Sequence, residues 1–310
     1  MCLPTRSRAR LRAWWFLAAA VLALWGGDVR AAAEITDDFA ERVVLERPAR
    51  RVIALTGAAT ETLCGMGLSE LLAARTDADL EPPEVAALPS IGTHMRPNLE
   101  LVLAHKPDLV VQIAGRGESL EAAAAIRRMG IPVAVFDVHD FEGLFSMAER
   151  LGVLTGEPAA AARFVAGLRQ RLDRVAEVVA GAAKRPTVFV ELRYPNLLAA
   201  GKDSMAADAV ARAGGRLVPE ATGRMARIGE EELVRINPDV YVVEEGPMNP
   251  APMALAMRPH YVGLAAVAAG RTAVFTGRKL SRPGPESVAG VEELARLLFP
   301  ERFAAQGDRP

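Results

Sequence analysis

The residues best suited to chemistry in this chain are cationic, and they fall in short polar loops. His94, Met95 and Arg96 share "GTHMRPN", and Arg116 lies in "IAGRGES". Arg193 and Tyr194 open "RYPNLL", Arg224 and Arg227 flank Met225 in "GRMARIG", and Arg278, Lys279 and Arg282 share "TGRKLSRPG". Several guanidinium groups converging on one cleft would suit an anionic ligand, because each presents a planar fork of donors. A solvated loop arginine is the competing reading for each of them. Met248, Met253 and Met257 offer thioethers to a soft metal. Their spacing also fits one helix face packed inward, and that is the expectation.

The motifs of the common α/β enzymes are missing. "TGAATETLCGMG" lacks the G-x-G-x-x-G order, no P-loop Lys-Ser/Thr occurs, and there is no G-x-S-x-G elbow. His94, His105, His139 and His260 make no H-E-x-x-H pair. An enzyme is therefore not expected, although an exported α/β enzyme stays as the rival class. Net charge is −1, and the first 33 residues, with five Arg and one Asp, leave −5 on the rest. That balance carries no basic excess for nucleic acid.

These loops need elements to hold them. "ELVLAHKPDLVVQ" at residues 100–112 is echoed by "EELVRINPDVYVV" at 231–243. In both, a glutamate opens a helical turn, a Pro-Asp pair ends it, and a β-branched run follows. Glu100 matches Glu231, Pro107 matches Pro238, and Asp108 matches Asp239. Proline disfavours helix in the residue before it, so each pair stops its helix. Around each copy, short apolar strands alternate with helices of 10–12 residues, which argues a parallel α/β sheet. Between the copies lies purely helical sequence, with Phe164, Leu168, Leu172 and Val175 at three- or four-residue spacing. The expected class is α/β: two Rossmann-like lobes with mostly parallel sheets, joined by one long α-helix, with a ligand cleft between them. The expected division is a leader at 1–33, a lobe at 34–155, a bridging helix at 156–184 and a second lobe at 185–310. Ligands of such sheets bind beyond the carboxyl ends of the strands, which is where the polar loops fall.

The leader has Arg6, Arg8, Arg10 and Arg12 before the apolar run 13–25, and alanines at 31–33. That pattern reads as an export signal, with a retained membrane anchor as the alternative. No lipobox cysteine follows the run, and Cys64 is expected to be a small buried hydrophobe.

"RVIALTGAATETLCGMGL", "PNLELVLAHKPDLVV", "GKDSMAADAVARAGG" and "RPGPESVAGVEELARLLFPERF" together resemble the class III periplasmic solute-binding proteins. These serve ABC importers of siderophores, haem and vitamin B12. The resemblance runs from about Arg50 to Phe303. It implies a periplasmic protein with no cofactor of its own that carries an iron or cobalt chelate to a permease dimer in the inner membrane. Ferric siderophore or haem is the first expectation and a corrinoid the alternative. B12-binding relatives line their cleft with aromatics, whereas these loops offer Tyr194 alone. Placement at strand ends makes Arg116, Tyr194 and Arg227 the first ligand-facing candidates, with His94, Met95 and Arg278 behind them. Tyr194 or His94 could bind a haem iron axially, or serve as hydrogen-bonding loop residues. The resemblance also implies that Glu100 and Glu231 dock onto permease arginines. Ordinary first-turn helix glutamates are the alternative, with Glu232 as a neighbouring candidate.

Overall fold

The β-branched run that ends each echoed stretch becomes a strand, and the connections between strands are mostly helical. The computed structural model describes residues 33–115 and 117–304. Residues 1–32 of the expected leader, and Arg116, lie outside the described residues, while Ala33 already begins the first strand.

The first lobe opens with a hairpin that the sequence reading did not anticipate, β1 (Ala33–Thr36) and β2 (Arg42–Leu45). Its four-residue strands alternate buried and exposed, the period of a half-covered ribbon. Then come β3 (Val52–Ala54), α1 (Gly57–Gly65), β4 (Leu72–Ala74), α2 (Leu99–Ala104), β5 (Leu109–Ile113), α3 (Gly117–Arg128) and β6 (Val133–Phe136). The four strands β3 to β6 pair in parallel in the order β4-β3-β5-β6. All five residues of β5 are buried, as expected for a central strand covered on both faces.

Two helices follow, α4 (Phe141–Thr155) and α5 (Pro158–Val179). Gly156 separates them at φ 73°, and a Cβ there would meet the Pro48 ring at 2.8 Å, so glycine is required by both backbone and space. Pro158 starts α5 at a position where its missing N–H costs nothing. Val165, Leu168, Leu172 and Val175 are its buried stripe, while Phe164 is only partly buried. Helix α5 packs on α4 and also on the last long helix of the second lobe, to which Arg171 is bound by a bidentate pair with Glu292 at 2.8 Å.

The second lobe holds β7 (Thr187–Arg193), β8 (Leu198–Ala200), α6 (Met205–Arg212), β9 (Arg216–Leu217), β10 (Met225–Arg227), α7 (Glu230–Ile236), β11 (Val240–Glu245), β12 (Thr272–Thr276) and α8 (Glu286–Leu298). Its sheet follows β10-β8-β7-β11-β12, with β9 also beside β7. Strands β9, β7, β11 and β12 are mutually parallel; β8 is added antiparallel to β7, and β10 antiparallel to β8. The parallel part repeats the first lobe: second strand, first, third, fourth.

The echoed Pro-Asp pair has the same task in both lobes. Asp108 accepts hydrogen bonds from the backbone N–H of Arg50 and Arg51 at 2.8 and 2.9 Å, just before β3. Asp239 accepts from the Thr187 N–H at 2.8 Å and its hydroxyl at 2.9 Å, at the start of β7, and from Lys184. Burial alone would raise the Asp239 carboxyl, but these donors hold it down at about 2. Each aspartate ties the third strand of its sheet to the first.

Cys64 packs against the core, and burial pushes its thiol up to about 11, which suits the inert role expected of it. Met253 and Met257 overturn their expectation. They are 51% and 76% exposed, because the segment makes only a single 3-10 turn at Leu255–Met257 and presents no inward helix face. Met248 alone packs on the core.

Candidate functional site

The carboxyl ends of the two sheets face each other across a seam. On one side, Asp137, just past β6, is ion-paired with Arg224, just before β10. Nearby, Asp208 of α6 accepts the Phe141 N–H at the start of α4 at 2.9 Å, and Arg212 reaches Glu142 at 3.2 Å.

On the other side, two arginines of the second lobe meet carboxylates of the first. Arg278 lies on the single helical turn Gly277–Leu280 after β12. Its guanidinium faces Glu61 of α1 at 3.1 Å, Glu81 in the loop after β4, and Glu286 at the start of α8 at 2.8 Å. Arg282 donates to the same Glu61 oxygen at 2.8 Å. Asp79, held by the Thr76 hydroxyl at 2.7 Å, lines the same place. Gly57 lets these groups approach the start of α1. A Cβ there would lie 2.7 Å from Asp79 Oδ1 and 2.8 Å from Arg282 Nη1. The space lined by Glu61, Asp79, Glu81, Arg278 and Arg282 is about 210 Å³ and partly open to solvent.

Glu244, next to last in β11, lies beside this cluster, 5% exposed, with Oε2 unpartnered among the described residues. Burial pushes its carboxyl up to about 7, against opposing pulls from Ser281 and Arg282. The unfolded chain gives up this proton at about 4.5, so between 4.5 and 7 the folded form binds more protons. The associated stability is complete below 4.5 and is lost as pH rises through about 7. Glu61 is raised for the same first cause, burial, and acts in the same sense. Glu244→Gln, which keeps the neutral form at all pH, is expected to be more stable than the parent at pH 8 by up to about 3 kcal/mol. The two should be equal at pH 4. Urea unfolding at both pH values checks this, and a variant less stable at pH 8 would refute it.

The ligand-facing candidates are distributed as follows. Arg278 is at the seam but is shared by three carboxylates. Arg227 is exposed at the end of β10, paired across the strands with Leu198. His94 is exposed and Met95 half-buried on the loop leading to α2. Arg116 lies outside the described residues. Tyr194 follows β7, half-buried, with the Arg258 guanidinium 4.0 Å from its ring centre and Tyr261 edge-on at 5.9 Å. Beneath it lies a fully buried network. Arg258 binds Glu191 through two bonds of 2.5 and 3.0 Å, and the Tyr241 hydroxyl donates to Glu191 at 2.7 Å. Asn249 donates to the same carboxylate at 3.3 Å. Among the described residues no hydrogen bond, ion pair or ring contact joins these candidates to one another. Glu61, Glu81 and Glu244 are not among the sequence-derived candidates, because a carboxylate that meets a loop arginine of the other lobe has no periodic local signature. The "TE" of "AATETL" was the available signal for Glu61.

A second concavity, about 420 Å³, lies between β12 and the 252–256 loop. It shares no lining residue with the seam cluster and is lined mainly by apolar residues such as Val243, Leu255 and Val274.

Glu100 and Glu231 are both exposed, each the second residue of its helix, one per lobe. Neither side chain has a hydrogen bond or ion pair among the described residues. Glu232 is half-buried and pairs with Arg235 at 3.6 Å, which separates it from its neighbour. No helix among the described residues is long and apolar enough to cross a membrane.

A family profile described as "Periplasmic binding protein" matches residues 52–278. An uncharacterised ABC transporter substrate-binding lipoprotein of Bacillus subtilis, YvrC, is 25% identical over 87% of this chain and 86% of its own. A periplasmic haem-binding protein of Roseiflexus, RhuT in apo form, superposes with TM-score 0.71 at 21% identity, covering 82% of this chain and 99% of its own. The periplasmic vitamin B12-binding protein BtuF of Vibrio cholerae does so with TM-score 0.70 at 22% identity, covering 81% and 97%.

Proposed function

This chain belongs to the periplasmic binding protein family, and from that membership we propose that it captures a metal chelate of low net charge at the seam and delivers it to a permease dimer. The family is one of solute-binding proteins rather than enzymes, working outside the cytoplasmic membrane with an ABC permease as partner. Export by a cleaved leader belongs to this proposal.

The observation that carries the ligand class is the pairing of the seam arginines. Arg224, Arg278 and Arg282 each already hold a carboxylate of the opposite lobe. A ligand carboxylate would have to displace one of these partners. A dianionic chelate such as haem is thus less well served than a ferric hydroxamate or a corrinoid, whose peripheries are neutral. The exposed Arg227 has no carboxylate partner among the described residues, so it could meet a ligand without losing one.

The docking reading rests on the division of labour within the echo. Asp108 and Asp239 have structural tasks, whereas Glu100 and Glu231 have none that the fold uses. Two exposed carboxylates, one per lobe, suit a two-fold symmetric partner.

Purified protein should be titrated separately with cyanocobalamin, a ferric trihydroxamate and hemin, using absorbance and calorimetry. One of the two neutral chelates is expected to bind with Kd of about 1 μM or tighter, and hemin at least roughly tenfold more weakly. Tightest binding by hemin, weakened in Arg227→Ala, would overturn the low-charge assignment. Binding of none of the three would overturn the chelate class as stated.

A further inference from the structure

The cluster of Glu61, Glu81, Arg278 and Arg282 does more than neutralise charge, because neither lobe supplies it alone. Its carboxylates come from α1 and the loop after β4, and its guanidiniums from the segment between β12 and α8. The contacts cross the seam where the two sheets face each other. The space between these groups, about 210 Å³ and partly open to solvent, falls below the roughly 300–1,000 Å³ of ordinary small-molecule sites. A metal chelate with a macrocyclic or trihydroxamate periphery needs the upper part of that range. At this edge, the lobes must move apart before such a ligand is seated.

We propose that Glu61 with Arg278 and Arg282 forms an ion-pair clasp that holds the lobes together in the unliganded protein and opens to admit the ligand. This rests on reading the seam as the ligand site. Three features fit a contact built to open. First, Glu61 is only 7% exposed, and its Oε1 accepts from Arg282 and lies 3.1 Å from Arg278 Nε, while its Oε2 has no hydrogen-bond partner among the described residues. A buried carboxylate satisfied on one side recovers only part of its desolvation cost, so the closed contact is not a deep minimum. The upward displacement of its carboxyl by burial agrees.

Second, the second lobe carries replacement partners. When Arg278 leaves Glu61 and Glu81 it keeps Glu286 at 2.8 Å, within its own lobe. Arg282 lies within electrostatic reach of Glu244, also of its own lobe. Opening therefore strands neither cation. Third, the lobes are joined through α5, whose turns are hydrogen-bonded throughout, so a large hinge motion is resisted. Contacts of 2.8 and 3.1 Å are lost with a separation of only a few ångströms, which a stiff bridge permits.

The test is amide hydrogen exchange on the unliganded full chain at pH 7.5, comparing the parent with Glu61→Gln, Arg282→Gln and Glu81→Gln. Exchange in segments 75–82 and 277–284 is expected to speed about tenfold in the first two variants and severalfold in Glu81→Gln. Strands β5 and β11 should exchange as in the parent. Unchanged exchange in both segments in folded Glu61→Gln and Arg282→Gln would overturn the clasp. So would acceleration spread equally into β5 and β11, which marks general loss of stability. If Glu61→Gln does not fold, the exposed Glu81→Gln decides, and parental exchange there counts against the proposal. Because no ligand is present, failure of the clasp leaves the ligand assignment standing, and failure of the chelates to bind leaves the clasp standing.

Discussion

The double variant Glu100→Arg/Glu231→Arg is expected to reduce transport through the reconstituted permease by roughly a hundredfold or more, while chelate affinity stays within about twofold of the parent. A carboxylate meeting a guanidinium across an interface makes a charge-assisted pair worth about 1.5–3 kcal/mol, or roughly tenfold or more in binding. Reversal also sets like charges against each other, so arginine should be worse than alanine. Each single variant should retain one docking point and fall less, because the two glutamates are on separate lobes. Both side chains are exposed and unpartnered among the described residues, so substitution should leave the fold unchanged. The same protein samples would be used for chelate titration and for vesicle uptake. Parental uptake by the double variant would show that the echoed glutamates record only the common origin of the lobes.

The second large effect is on stability. Arg258→Met should destabilise the protein by about 3–5 kcal/mol, because it leaves Glu191 charged and buried without its counter-ion. Both side chains are 0% exposed, and Glu191 would retain only the Tyr241 hydroxyl and the Asn249 amide. Glu191→Gln in the same chain should recover much of the loss, since a neutral amide does not need a cation. Loss of Arg258 also removes the guanidinium under Tyr194 and Tyr261, so the Tyr194 ring should become more mobile. Denaturant unfolding of the two single variants and the double variant measures the coupling. A cost under about 1 kcal/mol for Arg258→Met would show that the pair is not a structural anchor.

Most of the fold was legible in the chain itself. The apolar runs "VIA", "LVVQI", "VAVF" and "VYVVEE" became strands, and the stripe Leu168, Leu172, Val175 became the buried face of α5. The echo at 100–112 and 231–243 pointed to two lobes with mostly parallel sheets, and the structure has them. The added hairpin and the antiparallel β8 and β10 were not anticipated, because strands of three or four residues carry too little periodicity to stand out. Met253 and Met257 misled for a related reason: a three- or four-residue spacing indicates a helix only where the backbone between is helical.

The site divided differently. That Arg278 would follow a strand end and face the seam could be read from sequence, because topology puts strand-end loops there whatever their composition. Which charge meets which did not follow. Arg282 finds Glu61 across 221 residues, and Arg278 finds Glu81 across 197. Sequence encodes helices and strands through contacts a few residues apart, which recur with fixed periods and can be counted. An ion pair between lobes has no period. It exists only because two separately formed sheets are brought face to face, and it turned loop arginines that read as vacant anion sites into partners already taken.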